Sequence, residues 1–452
     1  MINLKSIYGF RSFISSTDIL LNIDLSFSVD NRKLDDENIF IAIVGERFNP
    51  LDHIEKIISS ECRFVIYEAN PENDLKTECF KKHLVFIRVE NIISFIEEAG
   101  KAVANNFRTK GGKIIAISGS NGKTTTKEML YHLLSDVFGD EKVICTQKNN
   151  NNHLGVPFTL FDIRERTLCA IVELGSNHPG EIEVLARILY PQYAVTTNIG
   201  ETHLEFFNTV AAVFKEESCV EQYVENCFYQ NADDVYLKNL VTTDLTKTYG
   251  FLGKDYQFKL FEGGIEVNGH RLCNQNITGD HNYFNLALAY TMALDIFNVS
   301  KKSLIESVKT FQPTKNRSEW ITHKNHKIFL DAYNANPSSM LAAVDGFNAY
   351  IIKNKISLDN VCIVIGDMNE LGEKSSHYHV ETGKKLNLHK FGQAYFVGIY
   401  AKQYAEGYQQ SCKCFESTKE VIAEYDNLFA KYKYVFIKGS RSLQLESILD
   451  IR

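Results

Sequence analysis

Residues 114–125 read IIAISGSNGKTT, and this stretch decides the fold of the region around it. The apolar run 114–118 is typical of a buried β-strand, and a segment rich in glycine, serine and threonine follows it at once. Apolar side chains then recur at the spacing of one helix face, at Leu130, Leu133, Leu134, Val137 and Phe138. A strand, a glycine-rich loop and a helix in this order predict a phosphate-binding loop.

The predicted loop contains the residue types that a nucleoside triphosphate requires. Its candidate nucleotide-binding residues are Gly119, Ser120, Asn121, Gly122, Lys123, Thr124 and Thr125. Glycines let backbone N–H groups converge on phosphate oxygens. We expect Lys123 to pair with the β- and γ-phosphates and the hydroxyl of Thr124 or Thr125 to bind Mg²⁺. Ile117 replaces the first glycine of the general motif. The alternative is a glycine turn that opens a helix beside a solvated lysine, and G-K-T-T-T directly after a buried strand disfavours it.

The composition restricts the class of protein. Hydrophobic residues make up 44% and charged residues 23% of the 452 residues, which is typical of globular chains. The net charge of −7 disfavours nucleic acid as a partner. No apolar run approaches the roughly 20 residues that span a bilayer, and the first residues lack a signal-peptide pattern. We therefore expect a cytoplasmic protein that is not embedded in a membrane, with its ten cysteines as free thiols because no C-x-x-C pair occurs.

Short apolar runs alternate with helical segments, which predicts an α/β fold of parallel sheets covered by helices. Three blocks are predicted, at 1–108, 109–313 and 314–452. The predicted strands lie at 39–44, 63–67 and 84–89, then at 114–118, 143–146, 168–174 and 193–198, and finally at 328–331, 361–366, 394–398 and 434–438. About 150 residues per domain is an ordinary size, so three domains suit this length.

Polar residues directly follow many of these apolar runs. They are Ser118-Gly119, Glu173, Asn198, Asp331, Gly366-Asp367 and Lys438-Gly439. In open parallel sheets, ligands bind outside the carboxyl ends of the strands. The pattern therefore predicts a ligand site to which the second and third blocks both contribute.

Several longer strings resemble one family. They are GSNGKTTTK at 119–127, NNHLGVP at 151–157, VELGSN at 172–177, TNIGETHLE at 197–205, GDHN at 279–282, DAYNANP at 331–337, GDMNELG at 366–372 and KGSR at 438–441. Together they resemble the Mur ligases, the ATP-dependent amide-forming enzymes of peptidoglycan precursor synthesis. The resemblance extends from about residue 109 to the end. It is thinner in the first block, where NPLD at 49–52 replaces the family's usual glycine–histidine turn.

The resemblance implies an ADP-forming ligase that joins D-alanyl-D-alanine to UDP-N-acetylmuramoyl-tripeptide. It implies an N-terminal domain for the UDP-sugar substrate, a central ATPase domain and a C-terminal Rossmann-like domain that closes over the ATP site. A carboxylate of the peptide would attack the γ-phosphate of ATP, and the amine of the dipeptide would then displace phosphate from the acyl phosphate. ATP, Mg²⁺ and these two substrates are the implied ligands, and we expect a monomer.

The resemblance also implies a metal and catalytic set. Thr124, Glu173 and His203 would hold Mg²⁺, and Lys215 would act as a carbamate, since a free ammonium beside the metal would be repelled. Lys123, His203 and Lys215 would be the catalytic residues. For Lys215, a solvated helix face of Lys-Glu-Glu is the alternative, and Glu216 is atypical of the family at its position.

The remaining implied sites are for ATP and the two other substrates. Asn282 and Asn285 would flank the adenine, with an N-terminal helix cap as the alternative for either. Arg317 and Asp331 would reach the nucleotide on closure. The residues implied for the peptide substrates and the UDP-sugar are Tyr333, Asn334, Asn336, Asp30, Arg32, Asn151 and Asn152. Asn336 before Pro337 is also typical of a helix cap, and Asn151 and Asn152 could belong to a plain asparagine-rich loop.

The same motifs disfavour three other classes of protein. A ligase with another acceptor, such as a folylpolyglutamate synthetase, is disfavoured by DAYNANP at 331–337. A nucleotide-binding module without activity would be expected to lack Lys123, Glu173 or His203, and all three are present. A switch-type NTPase would need no third block with its own polar strand ends.

Overall fold

The computed structural model describes residues 10–13, 26–29, 34, 38–45, 48–60, 62, 64–68 and 85–449. These residues form three α/β units, each built on one sheet, so the predicted α/β fold is confirmed. Nine cysteines in this part of the chain are free thiols, as expected. Across the same residues, no helix is both long enough and apolar enough to cross a membrane.

The first unit has a five-stranded sheet of order β1-β5-β4-β3-β2. Its strands are β1 (Phe10–Phe13), β2 (Ser26–Ser28), β3 (Asn38–Ile41), β4 (Phe64–Glu68) and β5 (Val85–Val89), and its helices are α1 (Ile54–Ser59) and α2 (Ile92–Thr109). Only the β1–β5 pair is antiparallel among these strands. The buried face of α2, with Phe95 and Ile96, shares one apolar core with Ile188 of the second unit, so the two units pack directly together.

The second unit has a nine-stranded sheet of order β14-β13-β12-β11-β10-β9-β6-β8-β7. Its strands are β6 (Lys113–Ser118), β7 (Val143–Cys145), β8 (Cys169–Glu173), β9 (Tyr193–Thr196), β10 (Cys227–Asn231), β11 (Thr246–Gly250), β12 (Tyr256–Phe261), β13 (Gly264–Val267) and β14 (His270–Cys273). Its helices are α3 (Lys123–Phe138), α4 (Gly155–Phe161), α5 (Glu181–Leu189), α6 (Leu204–Phe207), α7 (Val210–Ser218), α8 (Asp280–Phe297) and α9 (Lys301–Thr310).

Strands β6 to β12 of this sheet are parallel, and β13 and β14 extend it as antiparallel strands. Strands β6 and β8 are buried over almost their whole length, because helices cover both faces of the parallel part. This burial explains why 114–118 reads as a continuous apolar run instead of an alternating one.

The third unit has a six-stranded sheet of order β15-β16-β20-β17-β18-β19, in which only β15 is antiparallel. Its strands are β15 (Glu319–His323), β16 (His326–Asp331), β17 (Val361–Gly366), β18 (Gln393–Val397), β19 (Cys412–Phe415) and β20 (Tyr434–Lys438). Its helices are α10 (Pro337–Lys353), α11 (Ser375–Leu386), α12 (Ala401–Tyr408), α13 (Thr418–Ala423) and α14 (Tyr425–Phe429). Short 3-10 turns complete the description at Pro50–His53, Asp140–Lys142, Cys219–Tyr223, Leu237–Asn239, Leu358–Asn360, Gly372–Lys374, Arg441–Leu443 and Leu445–Leu449.

All eleven predicted strands occur within one to three residues of their expected ends. Strands β12 and β14 were not predicted, because exposed charged and polar side chains interrupt their apolar pattern. The prediction also missed β1, β2, β10, β11, β13, β15 and β19, of which β10 is buried over its whole length. The domain limits 1–108, 109–313 and 314–452 stay a prediction.

Candidate active site

The loop 119–122 joins β6 to α3 at the carboxyl edge of the central sheet. The backbone N–H of Ser120 donates to the carbonyl of Asn198 at 2.8 Å, and the N–H of Asn121 donates to the side-chain oxygen of the same residue at 3.1 Å. Asn198, which directly follows the end of β9, therefore holds the backbone of the loop in place. The predicted polar residue at position 198 thus shapes the loop by two direct bonds.

Two of the loop glycines are required by close contacts. Gly119 has φ of 120°, and a Cβ there would lie 2.2 Å from Oγ1 of Thr197. Gly122 has φ of 79°, and a Cβ there would lie 2.8 Å from Oδ1 of Asn285. Both positions combine a left-handed backbone with a neighbour that leaves no room for a side chain.

Lys123, the first residue of α3, has a buried acidic neighbour. The carboxylate of Glu217 accepts a 2.7 Å hydrogen bond from the N–H of Gly119, and its other oxygen lies 3.9 Å from Nζ of Lys123. The ammonium also donates to the carbonyl of Gly119. Glu217 therefore holds both the beginning of the loop and its lysine, a role that the sequence motif alone did not assign.

Thr124 and Glu173 lie together beside this lysine. The hydroxyl of Thr124 donates to Oε2 of Glu173 at 2.9 Å, and Nδ2 of Asn151 donates to Oε1 at 3.1 Å. The Lys127 ammonium, which is completely buried, lies 3.9 Å from Oε2 and donates to the carbonyl of Thr146 at 2.5 Å. Asn151 therefore binds the carboxylate of Glu173. The alternative interpretation of Asn151 as part of a loop without specific contacts is wrong.

This donor set fits Mg²⁺. The ion prefers oxygen ligands and is held in phosphoryl-transfer sites by one or two protein oxygens together with phosphates and water. A hydroxyl and a carboxylate 2.9 Å apart next to a phosphate loop supply that chemistry. Within the part of the chain that is described, no group of three or more His, Cys, Asp or Glu side chains assembles into an all-protein metal cage.

His203 lies at the start of α6 with a left-handed backbone, φ 51°. Its Nδ1 is 2.6 Å from Oε2 of Glu370, which belongs to the third unit and has φ of 63°. The backbone N–H of Glu205 donates to the carbonyl of Glu370 at 3.0 Å. Contact with the imidazole holds the pKa of Glu370 below its usual value. Sequence reasoning did not single out Glu370 as a site residue, because its partner is 167 positions away.

Lys215 is an exposed residue of α7, and the two residues after it are buried. Glu216 accepts hydrogen bonds from the N–H groups of Gly180 at 2.7 Å and Ile182 at 2.8 Å, at the beginning of α5. Burial raises the pKa of Glu216. Glu216, which is atypical of the family, therefore connects α7 to the beginning of α5. The alternative of a wholly solvated Lys-Glu-Glu face is wrong, because Glu216 and Glu217 are buried.

A small, partly open cleft lies beside α3. It is lined by Thr125, Met129, Ile277, Asn282, Phe311, Pro313, Thr314 and Arg317. Three of these residues were predicted for the nucleotide, and the apolar ones were missed because a single apolar residue in a sequence cannot be distinguished from core. Its lining combines apolar side chains with a few amide and hydroxyl groups, as is usual in small-molecule sites.

Neither predicted adenine residue caps a helix. Helix α8 begins at Asp280 with Gly279 at its N-cap, so the capping alternative for Asn282 and Asn285 is wrong. The Asn282 side chain donates to the carbonyl of Thr278 at 2.9 Å inside the first turn, and Asn285 lies against Gly122 as described above. Asn285 therefore lies at the N-terminus of the phosphate-loop helix α3, and Asn282 lines the cleft beside the same helix.

Asp331 forms a buried ion pair at the end of β16. Nζ of Lys438 lies 2.6 Å from its Oδ2, and the lysine is only 2% exposed. The same ammonium donates to the carbonyl of Asn334 at 3.0 Å. Lys438 is therefore not an ordinary exposed basic residue. Arg317 stacks on Tyr333 with its guanidinium carbon 3.8 Å from the ring centre, and the Tyr333 hydroxyl contacts Asn149 of the second unit.

Asn336 caps α10, as its position before Pro337 predicted. Its side-chain oxygen accepts from the N–H of Ser339 at 2.8 Å, while its Nδ2 donates to Oδ1 of Asn121 in the phosphate loop at 2.7 Å. Asn121 in turn donates to the hydroxyl of Ser338 at 3.0 Å. The cap thus connects the third unit directly to the phosphate loop.

The last predicted residues concern the UDP-sugar. Asn152 accepts from the N–H of Gly155 at 2.9 Å and of Leu154 at 3.2 Å, so its side chain stabilises the beginning of α4. Asp30 and Arg32 lie outside the residues that the structure describes.

The fold and the site define a phosphate-loop protein of three α/β units, in which the third unit contacts the phosphate loop of the second. Family models agree with this description. The Mur ligase middle domain matches residues 117–293, and the Mur ligase glutamate ligase domain matches residues 316–441. The chain belongs to the Mur ligase family.

Two similar proteins carry one activity in their names, and a solved structure shares the fold. The UDP-N-acetylmuramoyl-tripeptide–D-alanyl-D-alanine ligase of Rickettsia prowazekii is 30% identical, with 96% of this chain and 97% of that protein covered. The Bacillus subtilis ligase of the same name is 28% identical over 93% and 92% of the two chains. The crystal structure of MurF from Acinetobacter baumannii has a TM-score of 0.77 at 26% identity, covering 94% of this chain and 92% of that one.

Proposed function

We propose that this chain is an ATP-dependent, ADP-forming ligase that joins D-alanyl-D-alanine to UDP-N-acetylmuramoyl-tripeptide and so forms the pentapeptide precursor of peptidoglycan. The carrying observation is the bond between Asn336 and Asn121, at 2.7 Å. It places the DAYNANP segment of the third unit on the phosphate loop. The names and nearly complete coverage of the relatives support the same activity.

The reaction has two steps, and each brings anions together. The terminal carboxylate of the tripeptide attacks the γ-phosphorus of ATP, and the β–γ bond breaks to give an acyl phosphate and ADP. The amine of D-alanyl-D-alanine then attacks the acyl carbon, loses a proton and displaces inorganic phosphate. Such reactions depend mainly on position and on positive charge near the phosphates.

The residues of this chain supply that position and charge. The loop N–H groups and the Lys123 ammonium hold the phosphates, and Glu217 keeps that ammonium at the loop. Glu173 and the hydroxyl of Thr124 are the first ligands for Mg²⁺, which when bound neutralises phosphate charge. Asn282 and Arg317 line the cleft for the adenine end of the nucleotide.

The remaining site roles belong to the same proposal. His203 and a carbamylated Lys215 complete the set of metal ligands. Asp331 reaches the nucleotide when the third unit closes. The residues for the dipeptide and the UDP-sugar are Tyr333, Asn334, Asn336, Asn151, Asn152, Asp30 and Arg32. The enzyme works as a cytoplasmic monomer with domains at 1–108, 109–313 and 314–452.

The test is phosphate release by the purified chain with ATP, Mg²⁺ and UDP-N-acetylmuramoyl-tripeptide. D-alanyl-D-alanine, L-glutamate and free D-alanine are compared as acceptors, and the product is weighed by mass spectrometry. Release with the dipeptide alone, together with a pentapeptide product, is the expected result. Release only with another amino acid would support the ligase chemistry but contradict D-alanyl-D-alanine as the acceptor. Tight ATP binding with no release under any condition would overturn the enzymatic function.

A further inference from the structure

The contact between His203 and Glu370 joins two units of the protein at one ring nitrogen. Nδ1 of His203 is buried and lies 2.6 Å from Oε2 of Glu370, a close ion-pair contact in which the ring N–H is not aligned for a hydrogen bond. The imidazole is 16% exposed and the glutamate side chain 42%. With Nδ1 occupied by this acid, Nε2 is the nitrogen left for a ligand.

The backbone around this contact is built to hold it. The carbonyl of Glu370 accepts from the N–H of Glu205 at 3.0 Å, and a Cβ at Gly372 would lie 3.0 Å from Cα of Glu205. Leu204 and Phe207 of α6 share an apolar core with Met368 and Leu371 from either side of the glutamate. The two segments are therefore packed as well as hydrogen bonded.

Both members of the pair occupy a left-handed backbone conformation, with φ of 51° at His203 and 63° at Glu370. Such a conformation costs a residue with a Cβ of order 1 kcal/mol or more, and it persists where the surroundings impose it. Both backbones therefore owe their conformation to the packing around this contact.

We propose that Glu370 is a positioning residue that orients the imidazole of His203 toward the metal and does so only while the third unit is seated on the second. A histidine that binds a metal commonly donates its other N–H to a carboxylate, which fixes the ring and its tautomer. Here the carboxylate comes from a different unit than the histidine. Closure of the third unit thereby completes the metal site. The inference rests on the proposed function of His203 as a metal ligand.

The experiment measures Mn²⁺ binding by electron paramagnetic resonance in the complex of the whole chain with a nonhydrolysable ATP analogue. Glu370→Ala is expected to weaken the Mn²⁺ site to which His203 contributes by about 10-fold or more. Glu370→Gln, which keeps an oxygen acceptor of the same shape near Nδ1, is expected to restore most of that loss. Glu373→Gln is the matched control, because Glu373 is an exposed acid on the same segment.

A double variant separates positioning from a general effect on folding. If Glu370 acts through His203, the His203→Ala, Glu370→Ala double variant binds Mn²⁺ as His203→Ala does. Wild-type affinity in Glu370→Ala, or a double variant weaker than His203→Ala, would overturn the inference. Should Glu370→Ala not fold, the same comparison is made with Glu370→Gln, for which a loss equal to that of His203→Ala would contradict it. Mn²⁺ binding needs no acceptor substrate, so failure of the proposed ligase reaction is observed separately in the phosphate-release assay.

Discussion

The hydroxyl of Thr124 donates a 2.9 Å hydrogen bond to Oε2 of Glu173, at the edge where the phosphate loop meets β8. Removing the charge of Glu173 while keeping its shape should weaken the metal site and leave the loop intact. We expect Glu173→Gln to lower kcat about 100-fold or more, since preorganised charge stabilisation in active sites is of this size. Steady-state assays over a range of Mg²⁺ concentrations check this. Glu165→Gln, an exposed change nearby in sequence, should behave as the wild type.

Lys127 gives a prediction about stability. Its ammonium is completely buried and is satisfied by Thr146 and by the acids Glu128, at 2.8 Å, and Glu173, at 3.9 Å. Lys127→Met keeps the apolar stem and leaves the buried carboxylate of Glu173 without its cation. We expect a loss of about 3 kcal/mol in the free energy of unfolding, measured by urea denaturation. Lys110→Met, at an exposed lysine, is the control, and equal stability of the two variants would refute the role of Lys127.

The bond between Asn121 and Asn336 can be measured by a double-mutant cycle. Asn336→Ala removes a helix cap, which alone costs about 1 kcal/mol. If the 2.7 Å contact with Asn121 adds to this cost, the two alanine variants should show a coupling energy of about 1 kcal/mol in thermal or chemical unfolding. Ser339→Ala removes the other half of the cap without touching the phosphate loop, so its cycle with Asn121→Ala should show no coupling.

Stability should fall in mild acid because of His379. Burial lowers the pKa of this histidine to about 4, with Nε2 accepting from the N–H of Met368 at 3.0 Å and the ring stacked on Tyr400. Between about pH 6.5 and pH 4 the unfolded chain binds a proton at this position that the folded protein does not bind. The free energy of unfolding therefore drops as the pH falls through this window, by about 1.4 kcal/mol per pH unit for one such group.

The measurement is unfolding by urea at several pH values between 4 and 7. Burial also lowers the pKa of His281 to about 4, so the wild type should lose stability at both histidines. His379→Gln should reduce the slope by the share of one group, while His377→Gln, at an exposed histidine of the same helix, should leave it unchanged. Equal slopes in all three proteins would show that His379 takes up its proton equally in the folded and unfolded states, and would contradict the lowered pKa.

Local features of the sequence predicted the phosphate loop and the polar strand ends well. Residues 114–125 contain the strand, the loop and the start of the helix within twelve positions, so local pattern was sufficient there. The cap at Asn336 was equally local, because Pro337 directly follows it. Residue roles carried over by resemblance, such as those of Lys215 and Arg317, stay predictions.

Contacts between distant segments could not be predicted in the same way. Glu370 faces His203, and Glu217 holds the N–H of Gly119, but neither pairing leaves a trace in the spacing of one sequence. The exposed strands β12 and β14 also escaped, since charged residues on their outer faces interrupt the apolar pattern. The apolar lining of the adenine cleft was hidden for the opposite reason, because it looks like ordinary core.

The asparagine run from 149 to 152 has a consequence for how the gene can change. Asn149 contacts Tyr333, Asn151 binds Glu173 and Asn152 stabilises the beginning of α4, while the backbone of Asn150 lies so close to Gly155 that a Cβ there would be 2.3 Å away. The contacts of these four asparagines therefore fix the length of the segment. Replication slippage that added or removed one asparagine codon would leave the composition almost unchanged, yet it would shift every partner by one position.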